Sequence, residues 1–377
     1  MKKIQMVDLI SQYEKIKPSV DDAIANVLQN ATFINGPEVN DFKKNLQNYL
    51  NIKHVIPCAN GTDALQIALM ALGLKPGDEV ITPSFTYIAT TEVIALLRLK
   101  PVFVDVKKDT FCIDPKKIEK AITSKTKAIV PVHLYGQAAN MNEIMKLAEK
   151  YKLFVVEDNA QAIGSDYLLS NGEKIKTGTI GNIGCTSFFP SKNLGCYGDG
   201  GALFTNDDEL AAIIKKIANH GQSEKYYHDI VGCNSRLDSI QAAVLNIKLK
   251  KLDDYIDSRR KVAEHYDNIF SKIDGIQVPL RSNDSKHVFH QYTLILEETD
   301  RDELNKYLAK CNIPSMIYYP VPAHRQKMFS EYKSESINLP ITDWLTKRVI
   351  SLPIHTEMEQ DQLDHISNSV INFLNDK

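Results

Sequence analysis

The chain is 377 residues long, 43% hydrophobic and 24% charged, with a formal net charge of −2. A chain of this length can bury a large core, and the composition is that of a globular protein. The near-neutral balance, with no Lys/Arg block, gives no reason to expect nucleic acid as a partner. The six cysteines are scattered without a CxxC pair, which fits reduced thiols better than a disulfide framework or a zinc site. No apolar run suited to a signal peptide follows Met1, and no stretch approaches the ~20 apolar residues of a membrane span. The expectation is a cytoplasmic protein with no membrane partner.

In chain order, helical spacing appears over Val20–Gln29. After the punctuated loop around Asn35-Gly36-Pro37 it returns over Glu38–Leu50, with Val39, Phe42, Leu46 and Leu50 on one stripe. A short apolar strand, His54–Cys58, then leads into Ala59-Asn60-Gly61-Thr62-Asp63-Ala64-Leu65, which turns helical from Thr62. Strand, glycine turn and helix start is an arrangement that binds phosphate, because free N–H groups and the helix dipole converge there. A bland alternative stands beside it: Asn60 or Thr62 merely caps the helix.

Short apolar strands (79–82, 102–105, 128–132, 154–158) then alternate with helices (89–97, 115–122, 141–151). This pattern predicts a mostly parallel sheet with helices on both faces and ligands at the carboxyl ends of its strands. Asp158 lies at one such end; it caps a helix, joins a salt bridge or faces a cationic ligand nitrogen. A hairpin-like loop fills 164–181, and a helix covers 210–218. A polar loop covers 220–233, and one long helix is predicted from Ser239 to about Phe270. The smaller part reads as strands at 292–296 and 316–319 and helices at 301–311, 341–350 and 360–375. The predicted division is 1–250 as a large α/β domain and 251–377 as a small α+β domain.

The run Cys185–Thr205 carries the chemistry. A strand-like segment stops at Pro190 and presents Lys192, and the glycine-rich turn 195–201 and a second strand follow. An amine held this way suits a Schiff base with an aldehyde cofactor, although a solvated lysine reads equally well from this stretch alone.

Taken together, ANGTDAL, Asp158 with Gln161, and Ser187 with Lys192 resemble the DegT/DnrJ/EryC/StrS sugar aminotransferases. FINGPEV, CNSRLD, YYPVPAH and SLPIH extend the resemblance over nearly the whole chain. It implies the aspartate-aminotransferase-like fold (type I) and pyridoxal 5′-phosphate as cofactor, with pyridoxamine 5′-phosphate as an intermediate. Lys192 would carry the Schiff base and shuttle the proton, while Asp158 would pair with the pyridine nitrogen. Gln161 would bond the phenolic oxygen, Gly61, Thr62 and Ser187 would hold the phosphate, and Tyr87 would stack on the ring. Asn234 would reach the neighbouring subunit's phosphate site, which implies a homodimer with shared active sites.

The implied reaction moves an amino group from L-glutamate, which leaves as 2-oxoglutarate, to the keto carbon of a UDP- or dTDP-linked sugar. The run TSFFPSKNLGCYGDGGALFTNDDELA resembles the branch acting on C-3 of UDP-2-acetamido-2-deoxy-3-oxo-glucuronate, which serves O-antigen and surface-polysaccharide synthesis. The alternative acceptor is a dTDP-3-keto- or 4-keto-6-deoxyhexose. Arg236 suits a uronate carboxylate, with an ion pair to Asp238 or another acid as the equally weighted alternative. His324 and Arg325 are further candidates for sugar or phosphate contact. His287 and His290 have spacing a metal could use but read as ordinary loop or core residues without a third ligand. Lys192 argues against a dehydratase of the same fold, which carries histidine there. A non-catalytic regulator would need an added DNA-binding segment, and none is read in the chain.

Overall fold

The computed structural model describes residues 2–332 and 336–375. Helix α1 (Leu9–Asn30) starts eleven residues before the expected one, with the Asp8 side chain accepting from Ser11 N at 2.9 Å. Its Pro18 sits on the exposed face, where a missing backbone bond is tolerated. Helix α2 (Pro37–Leu50) follows and buries Phe42, Leu46 and Leu50.

The central sheet takes β1 (His54–Cys58), β2 (Glu79–Pro83), β3 (Lys100–Val104), β4 (Thr126–Ile129) and β5 (Phe154–Asp158). After a hairpin of β6 (Asp166–Leu168) and β7 (Lys174–Lys176) it adds β8 (Ile183–Ser187) and β9 (Gly201–Thr205). Its order is β1-β9-β8-β5-β4-β2-β3. The β9 strand is antiparallel to both neighbours, and every other pairing is parallel. The sheet is therefore mixed but mostly parallel, as the strand–helix alternation predicts. Helices α3 (Gly61–Ala71), α4 (Ala89–Leu96), α5 (Pro115–Ala121), α6 (Met141–Tyr151) and α7 (Asp208–Ala218) cover it. Leu65, Ile67 and Leu69 join Val80, Val156 and Leu203 in one core, while Ile118 and Ile144 join Ile81 and Val155 in another.

The expected polar loop at 220–233 contains a small hairpin, β10 (Gln222–Glu224) with β11 (Tyr227–His228). The expected long helix is two: α8 (Ser239–Leu249) and α9 (Leu252–Phe270). Lys251, at φ −108° and ψ 0°, departs from helical geometry between them. Apolar spacing continues on both sides, so periodicity alone does not reveal the break.

The second sheet joins β12 (Ile276–Gln277), β13 (Tyr292–Leu296) and β14 (Val349–Leu352). Helices α10 (Arg301–Lys310), α11 (Pro340–Leu345) and α12 (Gln360–Asn375) accompany it. The expected helix over 341–350 is corrected: α11 ends at Leu345, and Val349–Leu352 pairs antiparallel with β13. Cross-strand pairing of this fully buried run, which opens on β-branched Val349 and Ile350, overrides the helical spacing. The expected strand at 316–319 reduces to one bridge, Met316 with Ser351. Ile295, Leu345 and Val349 pack into the core of the large sheet. Among the described residues, no helix is long and apolar enough to cross a membrane.

Candidate active site

A cavity of about 460 Å³ opens where the strands of the large sheet end, and it gathers seven of the residues that the sequence singles out. Asp158 closes β5, Ser187 closes β8, Gly61 and Thr62 begin α3 just past β1, and Tyr87 lies on the loop after β2. All five line the cavity together with Gln161 and Lys192. Carboxyl strand ends of a parallel sheet are where open α/β folds bind ligands.

At the α3 end, capping and ligand binding both apply. The Asn60 side chain accepts from Asp63 N at 2.8 Å, which satisfies one donor of the first turn. The N–H groups of Gly61 and Thr62 have no intrahelical acceptor and carry the positive end of the helix dipole toward the cavity. Gly61 has a steric reason: a Cβ there would meet the Ser187 Cβ at 2.7 Å. Helix start and strand end thus pinch together, with a serine hydroxyl beside two free amides. Such a donor set fits a phosphate.

The opposite end of the cavity is built from β5. The Asp158 carboxylate is 5% exposed, accepting from Thr90 Oγ1 at 2.7 Å and from Ala160 N at 3.1 Å. Behind it, His133 and Glu157 form a fully buried pair at 2.8 Å. Ala139 N donates to His133 Nδ1 at 3.1 Å, which leaves the ring proton on Nε2, facing Glu157. Glu157 also accepts from the Gly178, Ile180 and Gly181 amides, so the β5 end is firmly seated. The Gln161 amide has a fixed orientation: Oε1 accepts from Tyr135 N at 2.6 Å, so Nε2 donates, reaching the Tyr319 hydroxyl at 3.1 Å.

Lys192 makes no side-chain hydrogen bond or ion pair among the described residues. Burial pushes its amine down to about 8, and the Asp158 charge opposes part of that shift. A lysine so placed is a nucleophile and proton carrier near neutral pH. The buried acid, the fixed amide donor, the unpaired amine and the anion cradle fit pyridoxal 5′-phosphate, with one group for each of its polar ends.

Four sequence candidates lie elsewhere. Asn234 is exposed and Arg236 half-buried, and neither lines this cavity. Between them Ser235 is buried and bonded to the turn before α3. Among the described residues Arg236 forms no ion pair, so the alternative with Asp238 is not seen. His324 is buried, with Ser84 Oγ at 2.7 Å from its Nδ1, and Arg325 pairs with Asp343 at 2.9 Å. Both face structural partners and not the cavity wall.

Thr86, Tyr319 and His290 also line the cavity, and Thr90 reaches Asp158, although none is a sequence candidate for the site. Thr86 lies on the loop before α4 and Thr90 in the first turn of that helix, so no helical spacing links the two in the sequence. His290, read as an ordinary core residue, is on the cavity wall, and burial together with Lys192 and Arg259 holds it well below its usual pKa. His287, by contrast, stacks on Phe289 with ring centroids 3.8 Å apart. No group of three His, Cys, Asp or Glu that could hold a metal is found among the described residues.

Comparison with known proteins gives the same picture. The chain is 44% identical over 369 residues to a UDP-2-acetamido-2-deoxy-3-oxo-D-glucuronate aminotransferase of Pseudomonas aeruginosa, covering 98% of this chain and all of that one. It is 39% identical to a dTDP-3-amino-3,4,6-trideoxy-alpha-D-glucose transaminase of Streptomyces venezuelae, covering 98% and 95% of the two chains. Its fold superposes on NtdA from Bacillus subtilis, solved with bound cofactor PMP, with a TM-score of 0.89 and 32% identity, covering 97% of this chain and 82% of that one. The cofactor is pyridoxal 5′-phosphate, the fold is that of its type I transferases, and the protein is an aminotransferase. Residues 14–371 match the model of the DegT/DnrJ/EryC1/StrS aminotransferase family, and the chain belongs to that family.

Proposed function

We propose that the protein moves an amino group from L-glutamate to the keto carbon of a nucleotide-linked sugar, C-3 of UDP-2-acetamido-2-deoxy-3-oxo-glucuronate. The observation that carries this reading is the 44% identity, over essentially both whole chains, to an enzyme named for that substrate. The second reading, a dTDP-linked keto-6-deoxyhexose, draws on the 39% identity to a dTDP-sugar transaminase. The product would enter surface-polysaccharide (O-antigen) synthesis in the cytoplasm.

Each residue then has a task. Gly61, Thr62 and Ser187 hold the phosphate, Tyr87 covers the ring, and Gln161 Nε2 donates to the ring's phenolic oxygen. Asp158 holds a proton on the ring nitrogen, since an opposite charge at short range favours the charged form. Bound there, the cofactor supplies an electron-withdrawing ring that stabilises charge left on carbon when a proton departs. Lys192 would take that proton and return it to the carbon on the other side of the transferred nitrogen, a role its pKa of about 8 suits.

Arg236 is assigned to the uronate carboxylate, which a guanidinium can bind in a bidentate pair. His324 and Arg325 stay as candidates only through the segment they anchor, which includes Tyr319. A homodimer would bring exposed Asn234 into the partner's phosphate site. The exposed Tyr226, Tyr227 and Val231, at 79%, 67% and 84%, sit close by in the chain and favour such burial. A panel of UDP- and dTDP-keto sugars, offered to enzyme first reacted with L-glutamate, tests the acceptor by return of the visible absorption band. The UDP-3-oxo-uronate should restore it fastest; faster return with a dTDP sugar would move the assignment to the second reading.

A further inference from the structure

We infer that Thr90, backed by Thr86, is a positioning residue that aims the Asp158 carboxylate at the cofactor; the inference rests on the reading of Asp158 as partner of the ring nitrogen. Thr90 is 1% exposed, and its Oγ1 donates to Asp158 Oδ2 at 2.7 Å. Ala160 N donates to the other oxygen, Oδ1, at 3.1 Å. One donor on each oxygen fixes the plane of the carboxylate and leaves a lone pair on each for a group in the cavity.

The Thr90 hydroxyl has a single proton, and that proton is given to Asp158. At the 3.2 Å contact between Thr86 Oγ1 and Thr90 Oγ1, Thr86 is therefore the donor. Thr86 lines the cavity, and Thr90 lies behind it. The two hydroxyls form a directed chain from the cavity wall to the buried acid. A donor to a carboxylate favours its charged form, and removing one makes the carboxylate a stronger competitor for the ring-nitrogen proton. Lys192, Tyr319 and Cys185 are titratable groups that feel the Asp158 charge. None of them makes the bond that Thr90 makes.

The test uses holoenzyme loaded with pyridoxal phosphate, as wild type, Thr90→Val, Thr90→Ser, Thr86→Val and Asp158→Asn. Two quantities are read: the pH midpoint of the visible-band change, and the rate of band loss with L-glutamate as a function of its concentration. Thr90→Val should raise the midpoint in the same direction as Asp158→Asn but by less. It should slow band loss about tenfold, the loss of one charge-assisted bond, with half-saturating glutamate unchanged. Thr90→Ser should restore wild-type values, and Thr86→Val should give a smaller shift of the same sign, which keeps the test alive if Thr90→Val fails to fold. An unmoved midpoint and rate in Thr90→Val and Thr86→Val, with Asp158→Asn shifted, would overturn the inference and spare the reading of Asp158. An unmoved Asp158→Asn would overturn that reading itself.

Discussion

The Ser235 hydroxyl donates to the Asp63 carboxylate at 2.6 Å and accepts from Ala59 N at 3.0 Å. A residue from the segment before α8 is thereby locked onto the turn that opens α3. Asn234 and Arg236 flank this lock, so its rigidity sets where they project. Ser235→Ala should leave Ala59 N and Asp63 short of a partner at a partly buried site, at a cost of ~1 kcal/mol. Chemical denaturation of the two proteins measures that cost, and an unchanged unfolding free energy would remove the lock from the account.

Gly61→Ala should weaken pyridoxal phosphate binding by about tenfold or more, a loss of about 1.4 kcal/mol. The added methyl group meets the Ser187 Cβ at 2.7 Å, so helix start and strand end must part. The effect should be shared by inorganic phosphate, measured as a competitor of cofactor binding. A variant that binds both normally would contradict the cradle.

Lys192 sets a pH dependence whose sign is fixed. Its folded pKa of about 8 lies below the ordinary lysine value because burial penalises the charge. Below pH 8 the amine is protonated and cannot attack an aldehyde; above it, the free base dominates. Reconstitution of cofactor-free protein should therefore accelerate with a midpoint near pH 8, not near 10.5. Lys248 is also pushed down to about 8 by burial, but it bonds the Gly195 carbonyl and does not line the cavity. Lys192→Ala should abolish the visible band and reduce turnover by at least ~10³-fold, within the range a general base contributes. Lys248→Met should keep the band.

Arg236→Leu distinguishes the two acceptor readings. For a uronate it should raise KM about tenfold to a hundredfold, the range of a hydrogen bond to a charged group. A neutral keto sugar should be affected far less. Equal effects on both would remove Arg236 from carboxylate recognition.

Much of this site is legible before any coordinates. Residues 59–62, 158–161 and 187–192 each end a strand or open a helix, and local rules read those junctions well. The large sheet is legible because strand–helix alternation leaves few parallel arrangements. What escaped needs tertiary information. Val349–Leu352 has helical spacing but is claimed by β13, and the bend at Lys251 interrupts no apolar period. Thr90 looks like any helix threonine until β5 delivers Asp158 beside it. His324 looks like a ligand until Ser84 is seen at its ring.

The most direct test of the central claim follows the amino nitrogen itself. The enzyme is incubated with ¹⁵N-labelled L-glutamate and UDP-2-acetamido-2-deoxy-3-oxo-glucuronate, and the sugar product is analysed by mass spectrometry and NMR. The account requires ¹⁵N on C-3 of the sugar, with 2-oxoglutarate formed in equal amount and no label transferred by Lys192→Ala. Cofactor-loaded wild-type enzyme that releases 2-oxoglutarate yet puts no label on any nucleotide-linked sugar would contradict it.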